Sequence, residues 1–415
     1  MLAVSVPKIR ADRPRAAELR PRRVENWLHG LAGQEPAEIA HQLHQALFAQ
    51  NRISLDEDNR LILLELFKHP VGETVRQLQS VYISVQLPFT ERQRTYFSHS
   101  YRLLQEVAYG YKIVASDIVG NGKASSRQVD LVLSIQRAIF YIGKLLLNHY
   151  QCYEAYPSGS WRELHQLYKY AETNNLLTQP AATPNDPDTA GLDGLMSIHD
   201  AYHQIVLVGA GNPYGLLPGE CLTLYKLAGR WHSLAHLTNH ITPDEPGGHF
   251  LLSLIGDHPP LPVIKATKHS NEDHLRVLSV TEVVKEVRRA LKHLEKKGRI
   301  TSEYFADLDT HHKDFLKRLG RNFSALNVRR RSNRSRVERQ VEICIGINAI
   351  HYYASGEKPF ASPIVGAESG TGAKEPDDAV MVAGTRINDE EYIDLSSPTL
   401  PERAKEHPDD VAHRT

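Results

Sequence analysis

Residues 125–156 restrict the fold of this chain more than any other segment. The stretch SSRQVDLVLSIQRAIFYIGKLLLNHYQCYEAY is helical in character and apolar almost all the way round. A helix of this kind has no face to offer to water, so it is stable only when other elements surround it. The segment therefore predicts a helical bundle with residues 125–156 at its centre.

Amphipathic segments before and after it supply the surrounding helices. One begins after Thr90, a preferred helix cap, with Glu91 in its first turn. The segment 56–85 is expected to form two helices broken near Pro70, because proline has no N–H to donate. We expect seven to nine helices over residues 25–240.

The stretch QIVLVGAGNPYG, residues 204–215, superficially resembles a strand followed by a phosphate-binding loop. Its first two glycines fit the dinucleotide fingerprint, but Tyr214 replaces the third glycine and Pro213 removes a backbone donor. Apolar residues just upstream recur at spacings of three and four, which is typical of a helix. We therefore predict a helix over 195–208 that ends at Gly-Asn-Pro.

Three histidines, His232, His236 and His240, recur every four residues within a helix predicted over roughly 219–240. They would align on one stripe, and without an adjacent glutamate base this pattern favours a polar helix face over a metal site. A hydrolase built on these histidines is the weakest of three functional hypotheses. Nucleophile and nucleotide-loop motifs are absent, so we predict no enzyme activity and no metal.

Charge and cysteine content bear on partners and compartment. The 415 residues include 49 Lys and Arg and 49 Asp and Glu, so the zero net charge gives no reason to expect DNA binding. The three cysteines are far apart, which argues against a disulfide framework or a structural zinc site. No apolar run is long enough for a membrane span or a signal peptide, so we predict a cytoplasmic protein.

The character of the sequence changes after residue 240. A strand over 250–255 and two helices, over 280–298 and 302–323, are predicted to follow. Asp257 comes just after the strand, where catalytic carboxylates often lie, but the two prolines that follow it favour a cap or turn.

An arginine-rich segment, which begins at residue 326 and which we call the arginine arm, then leads into an apolar stretch over 341–353 that is compatible with a β-strand. The guanidinium group suits phosphate oxygens and the O6/N7 edge of guanine, and Arg330 and Arg334 have the R-x-x-x-R spacing to hold a guanine nucleotide against a barrel. A solvated basic linker is the alternative.

The stretch RRRSNRSRVERQVEICIGINAIHYY resembles the opening of a PilZ domain, the β-barrel receptor for cyclic di-GMP. Three further stretches carry a wider resemblance, namely LQSVYISVQLPFTERQRTYFSHSYRLLQEVAYGYK, GNPYGLLPGE and FLLSLIGDHPPLP. Together the four stretches make the chain similar to proteobacterial proteins that have a long helical N-terminal region and an atypical PilZ domain. Such proteins are sometimes labelled "molecular chaperone". The resemblance implies that Arg330 and Arg334 clamp the ligand, supported by Arg331. It also implies a [D/N]-x-S-x-x-G turn, for which Asp394 and Ser396 are the candidates, with Thr399 in place of the glycine.

The predicted fold class is mainly α, with a multi-helix bundle or superhelix, a small α+β segment and an incomplete PilZ-like β-region. The predicted divisions are a flexible Arg/Pro-rich start (1–24), a helical domain (25–240), a strand with a helical hairpin (241–325), the arginine arm with the first PilZ-like strand (326–353) and a mostly disordered acidic tail (354–415). The predicted function is a non-catalytic regulatory adaptor that responds to cyclic di-GMP, has no cofactor and acts on an unknown protein partner. The alternative is a helical scaffold that binds proteins and no nucleotide.

Overall fold

The computed structural model describes residues 2–9, 18–83, 89–183, 194–231, 233–239, 248–263, 273–300, 302–305, 307–324 and 354–356. The chain divides into two compact units, Met1–Val328 and Arg329–Thr415. Every helix and strand named below belongs to the first unit. The predicted divisions of the chain stay predictions.

In the described residues, eight helices build the first part of this unit, within the predicted range of seven to nine. They are α1 (Pro21–His29), α2 (Pro36–Gln50), α3 (Glu57–Tyr82), α4 (Glu91–Gly120), α5 (Gln128–Gln151), α6 (Ser160–Thr173), α7 (Ile198–Ala210) and α8 (Glu220–Ala228). A small antiparallel sheet, β1 (Pro180–Ala182) with β2 (Leu195–Ser197), lies between α6 and α7 in the chain. None of the helices in the described residues is long and apolar enough to cross a membrane.

Helix α5 lies at the centre of the bundle, which confirms the prediction from its apolar surface. From Leu131 to Gln151 every residue except Leu133 is buried, and α4, α6, α7 and α8 all pack against it. Its fully buried Arg137 donates to the carbonyl of Ala182 at 2.8 Å and so ties β1 to the bundle. Burial on all sides is what an all-round apolar helix requires.

The predicted break near Pro70 is wrong, because α3 continues through the proline without interruption. Phe67 and Val71, on either side of it, are fully buried. Packing of this face keeps the helix intact although Pro70 cannot donate to the carbonyl four residues earlier. The Thr74 hydroxyl, one turn later, donates to the carbonyl of Pro70 at 2.7 Å.

Two helix ends follow their local sequence as predicted. Thr90 and Gln93 form a reciprocal capping box at the start of α4, with the Thr90 N–H donating to the Gln93 Oε1 at 2.8 Å. Helix α7 ends at Gly-Asn-Pro, where Asn212 adopts a left-handed φ of 54°. The stretch QIVLVGA is therefore helical, and the prediction that it is not a strand leading into a nucleotide loop is confirmed.

The described residues of the rest of the unit form a four-stranded sheet and two helices. Its strands are β3 (His236–Thr238), β4 (His249–Ser253), β5 (Leu261–Pro262) and β6 (Leu275–Ser279), in the antiparallel order β3-β6-β4-β5. The helices are α9 (Thr281–Lys297) and α10 (Lys313–Phe323). Strand β4 and helix α9 were predicted. The second predicted helix begins later than expected, because short 3₁₀ turns at 303–305 and 310–312 precede α10.

Candidate functional site

The residues predicted to bind the nucleotide are Arg330, Arg331, Arg334, Asp394 and Ser396. All five lie outside the described residues, so their roles stay predictions. The structure does describe the base of the arginine arm, which is the end of α10. The site is therefore built from α10 and from the contacts that hold it.

Helix α10 is anchored by aromatic packing. Phe323, in its last turn, is fully buried, with ring centroids 6.0 Å from Trp231 and 6.4 Å from Phe250 of β4. The carbonyl of Ser324, the next residue, accepts the N–H of Gly248 at 3.1 Å. The folded chain is thus held at a defined point six residues before Arg330 in the sequence.

Gly248 joins three elements at this point. Its φ of 74° lies in the left-handed region, and a Cβ on it would meet the backbone of Thr281, the first residue of α9, at 3.3 Å. Its carbonyl accepts the N–H of Val280 at 2.7 Å, while its own N–H reaches Ser324. Only glycine suits both the conformation and the space, so the ends of α10, β4 and α9 meet at a residue without a side chain.

Polar contacts attach α10 to the helical bundle as well. Arg318 forms a two-pronged ion pair with Glu220 at the start of α8, including an Nε–Oε2 hydrogen bond of 3.2 Å. The Asn322 side-chain amide donates to the carbonyl of Gly211 at 2.8 Å. Both ends of the stretch GNPYGLLPGE therefore contact the helix from which the arm continues.

Asp257 links the sheet to helix α6. Its two carboxylate oxygens accept the backbone N–H groups of Gly159 at 2.6 Å and Arg162 at 3.1 Å, so it caps a helix about 95 residues earlier in the chain. At the other end of α6, Arg276 of β6 pairs with Glu172, with an Nε–Oε1 distance of 2.9 Å. We call these two attachments, one at each end of α6, the α6 joint. Of the two roles weighed for Asp257, the geometry supports the cap.

His165 lies between the two attachments of the α6 joint and is fully buried. Its Nε2 is 3.1 Å from the carbonyl of His258 and its Nδ1 is 2.8 Å from the hydroxyl of Tyr202. A carbonyl only accepts, so Nε2 carries the proton and Nδ1 accepts from Tyr202. Burial lowers the pKa of His165 to about 4, so the ring stays neutral at physiological pH.

Gly209, one of the two glycines that resemble a nucleotide fingerprint, has a packing role here. A Cβ on it would lie 3.0 Å from Pro259 and 3.0 Å from Trp161. The absence of a side chain lets the turn after β4 lie directly against α7. The turn, α6 and α7 thus form one packed layer.

Two family models match the chain. The first, described as the N-terminal domain of the cyclic-di-GMP receptor FimW, matches residues 22–244, just over half of the chain. The chain belongs to the FimW family. The second model, the middle PilZ domain of the same receptor, matches residues 249–404. The predicted resemblance to PilZ proteins with a long helical N-terminal region is confirmed.

A curated FimW from Pseudomonas aeruginosa is 25% identical over 361 residues. The match covers 86% of this chain and 57% of that relative, so the chain spans little more than half the relative's length. No solved structure matches the chain. The match to the PilZ domain begins at β4, and its range includes β5, β6, α9 and α10 as well as the arm, whereas strand β3 of the same sheet lies before it.

The prediction that His232, His236 and His240 align on one helix is wrong. Helix α8 ends at Ala228, and His236 begins strand β3, while His232 and His240 lie outside the described residues. Gly229 ends the helix and the fully buried Trp231 anchors the chain after it, so the four-residue spacing falls across a turn. No group of three or more metal-ligating side chains occurs in the part of the chain that the structure describes.

Proposed function

We propose that this protein is a non-catalytic regulatory receptor for cyclic di-GMP that acts in the cytoplasm. The observation that carries the proposal is the match of residues 249–404 to the middle PilZ domain of FimW, a range that includes Arg330, Arg334, Asp394 and Ser396. The curated relative is named as a cyclic-di-GMP receptor.

The chemistry of the proposed site follows from the arm. Cyclic di-GMP carries two phosphate charges and two guanine bases, and each guanidinium group offers a planar set of donors for both kinds of acceptor. In this proposal Arg330 and Arg334 hold the ligand, Arg331 adds charge, and Asp394 and Ser396 contact the other side of a guanine. Ligand binding would order the arm, which is a disorder-to-order switch.

The base of the arm supports a receptor role, because it is fixed to both parts of the first unit. The arm continues from a helix that Gly248 holds at the sheet and that Arg318 and Asn322 hold at the bundle. In the proposal, ordering of the arm acts on this rigid base and changes the surface presented to a protein partner.

The test is calorimetric titration of the full chain with cyclic di-GMP. We expect saturable binding, weakened at least about tenfold by Arg330→Ala and by Arg334→Ala, since each loses a charge-assisted contact of about 1.4 kcal/mol or more. Arg288→Ala, which removes an exposed arginine of α9, is the matched control and should leave affinity unchanged. The nucleotide recovered afterwards should be intact, and hydrolysis would contradict the non-catalytic part.

If the titration of the folded parent protein gives no heat of binding, the proposed receptor function is refuted. Equal loss of affinity in all three arginine variants would instead show that general positive charge, and no specific clamp, attracts the ligand.

A further inference from the structure

Residues 2–9 lie against the helical bundle as a segment without helix or strand, which we call the strap. Leu2 is buried in the hydrophobic core, and Val4 packs against it. Ser5 then donates its N–H to the Glu163 Oε1 at 3.0 Å, and its hydroxyl donates to the same oxygen. The strap thus sets two apolar side chains against the core of the bundle, and at Ser5 it places a pair of donors in a groove that α6 helps to form.

The groove has a polar centre that does not depend on the strap. The other carboxylate oxygen of Glu163 accepts from the ammonium group of Lys112 at 2.6 Å. Lys112 is 1% exposed and lies 4.5 Å from the centre of the Tyr109 ring. Because Lys112 already balances the charge of Glu163, this site favours an uncharged N–H or O–H donor in the segment that occupies the groove.

The strap fills the groove incompletely and with few contacts. A cavity of about 130 Å³ remains beside Ser5, with Tyr109, Ile142, Ser158 and Ser160 among its lining residues. Val6 is 40% exposed and Ile9 is 65% exposed, so the second half of the strap buries little apolar surface. Ordering eight residues opposes these few contacts through lost conformational entropy, which makes the strap displaceable.

We propose that this groove binds an extended segment of a protein partner, and that the strap is its resident competitor. The segment would have apolar residues at its first and third positions and an uncharged donor at the fourth, as Leu2, Val4 and Ser5 do. The seated strap shows which chemistry the groove accepts, and the unfilled cavity gives a partner with a larger side chain an advantage over it. The groove includes Gly159 and Ser160, so an occupant lies next to the Asp257 cap of the α6 joint.

The probe is a fluorescent peptide with the sequence of residues 2–9, LAVSVPKI, followed by anisotropy against a variant that lacks these residues. We expect saturable binding, at least about tenfold weaker for a peptide with Leu2→Asp, because a carboxylate would replace the buried side chain. In the protein, Glu163→Gln should weaken binding, whereas Glu303→Gln, at an exposed glutamate, should not.

Competition is tested with the full chain. It should bind the peptide at least about tenfold more weakly than the deletion variant, because its own strap occupies the groove. Full-length protein with Leu2→Asp should regain binding, and it also serves if the deletion variant does not fold. Equal binding of the peptide by the full chain and by a strap-free variant would refute the claim that the strap competes for the groove. If no folded strap-free variant binds the peptide, the claim that the groove is a binding site is refuted. Neither measurement uses a nucleotide, so the result is independent of the proposed receptor.

Discussion

Lowering the pH from 7 to 5 is expected to destabilise the fold through His165. Its pKa falls from the ordinary 6.5 to about 4 on folding, because the ring is buried. Between these values the unfolded chain binds the proton and the folded chain does not. The stability contributed by neutral His165 is therefore present above pH 6.5 and is lost as the pH falls toward 4.

The size of the effect follows from the two pKa values. Proton linkage with 6.5 and about 4 gives a loss of about 2 kcal/mol at pH 5, compared with about 0.2 kcal/mol at pH 7. Since burial also lowers the pKa of His44, His99 and His149, the parent protein alone does not isolate this contribution. The difference between the parent and His165→Gln does isolate it.

The assay is urea unfolding of both proteins at pH 7 and pH 5, followed by tryptophan fluorescence, to which Trp161, 5.4 Å from the His165 ring, contributes. His165→Gln should lower stability at pH 7, because it loses the bond from Tyr202, but should lose about 2 kcal/mol less than the parent between pH 7 and pH 5. His29→Gln, at an exposed histidine of α1, is the control substitution. If His165→Gln and the parent lose the same free energy on acidification, the reasoning about His165 is wrong.

Other predictions concern the joint, the glycines and the thiols. Asp257→Ala should lower the free energy of unfolding by about 2–3 kcal/mol, as two charge-assisted helix-cap bonds are lost, and a loss below about 0.5 kcal/mol in urea titrations would contradict the cap. Gly209→Ala should destabilise by about 1–3 kcal/mol through overpacking, whereas Gly72→Ala, in α3 with no atom near the new methyl group, should stabilise by up to about 1 kcal/mol; thermal melts that rank them otherwise would refute the packing argument. Cys152 and Cys221 are buried with pKa values raised to about 12, so at most one of the three thiols should react quickly with a thiol reagent at pH 8 before unfolding, and two fast thiols would contradict this.

The elements that were predictable from sequence are those whose pattern is local. The all-round apolar surface of α5 and the cap at Thr90 need only neighbouring residues, and both predictions are confirmed. Strand β6 was missed because Arg276 interrupts its apolar residues. The burial of the Arg276 side chain is explained only by its ion pair with Glu172 of α6. The continuity of α3 through Pro70 likewise depends on tertiary packing.

The candidate site was predictable only in part for the same reason. The membership of a PilZ-containing family followed from the arginine arm and the stretches that resemble it, whereas the ligand that this family implies stays a proposal. The base of the arm did not, because Gly248 reads locally as part of a turn, and its contacts with Ser324 and Thr281 join residues far apart in the chain. Asp257 was expected to be a cap or turn residue, but its partner helix lies about 95 residues away.

The α6 joint and the contacts that hold α10 to the bundle are built from different interactions, and this difference bears on signalling. The α6 joint is built from a helix cap, in which main-chain N–H groups donate to the Asp257 carboxylate, and from a partly buried ion pair. Both lie around a neutral histidine, so the joint resists changes in salt and in pH above 6.5. The attachment of α10 combines the buried aromatic packing of Phe323 with the ion pair of Arg318, whose side chain is 24% exposed compared with 10% for Arg276, and with one side-chain amide. In the proposed receptor the arm continues from α10, so we expect a signal that arises in the arm to reach the bundle through the Arg318–Glu220 pair at the start of α8.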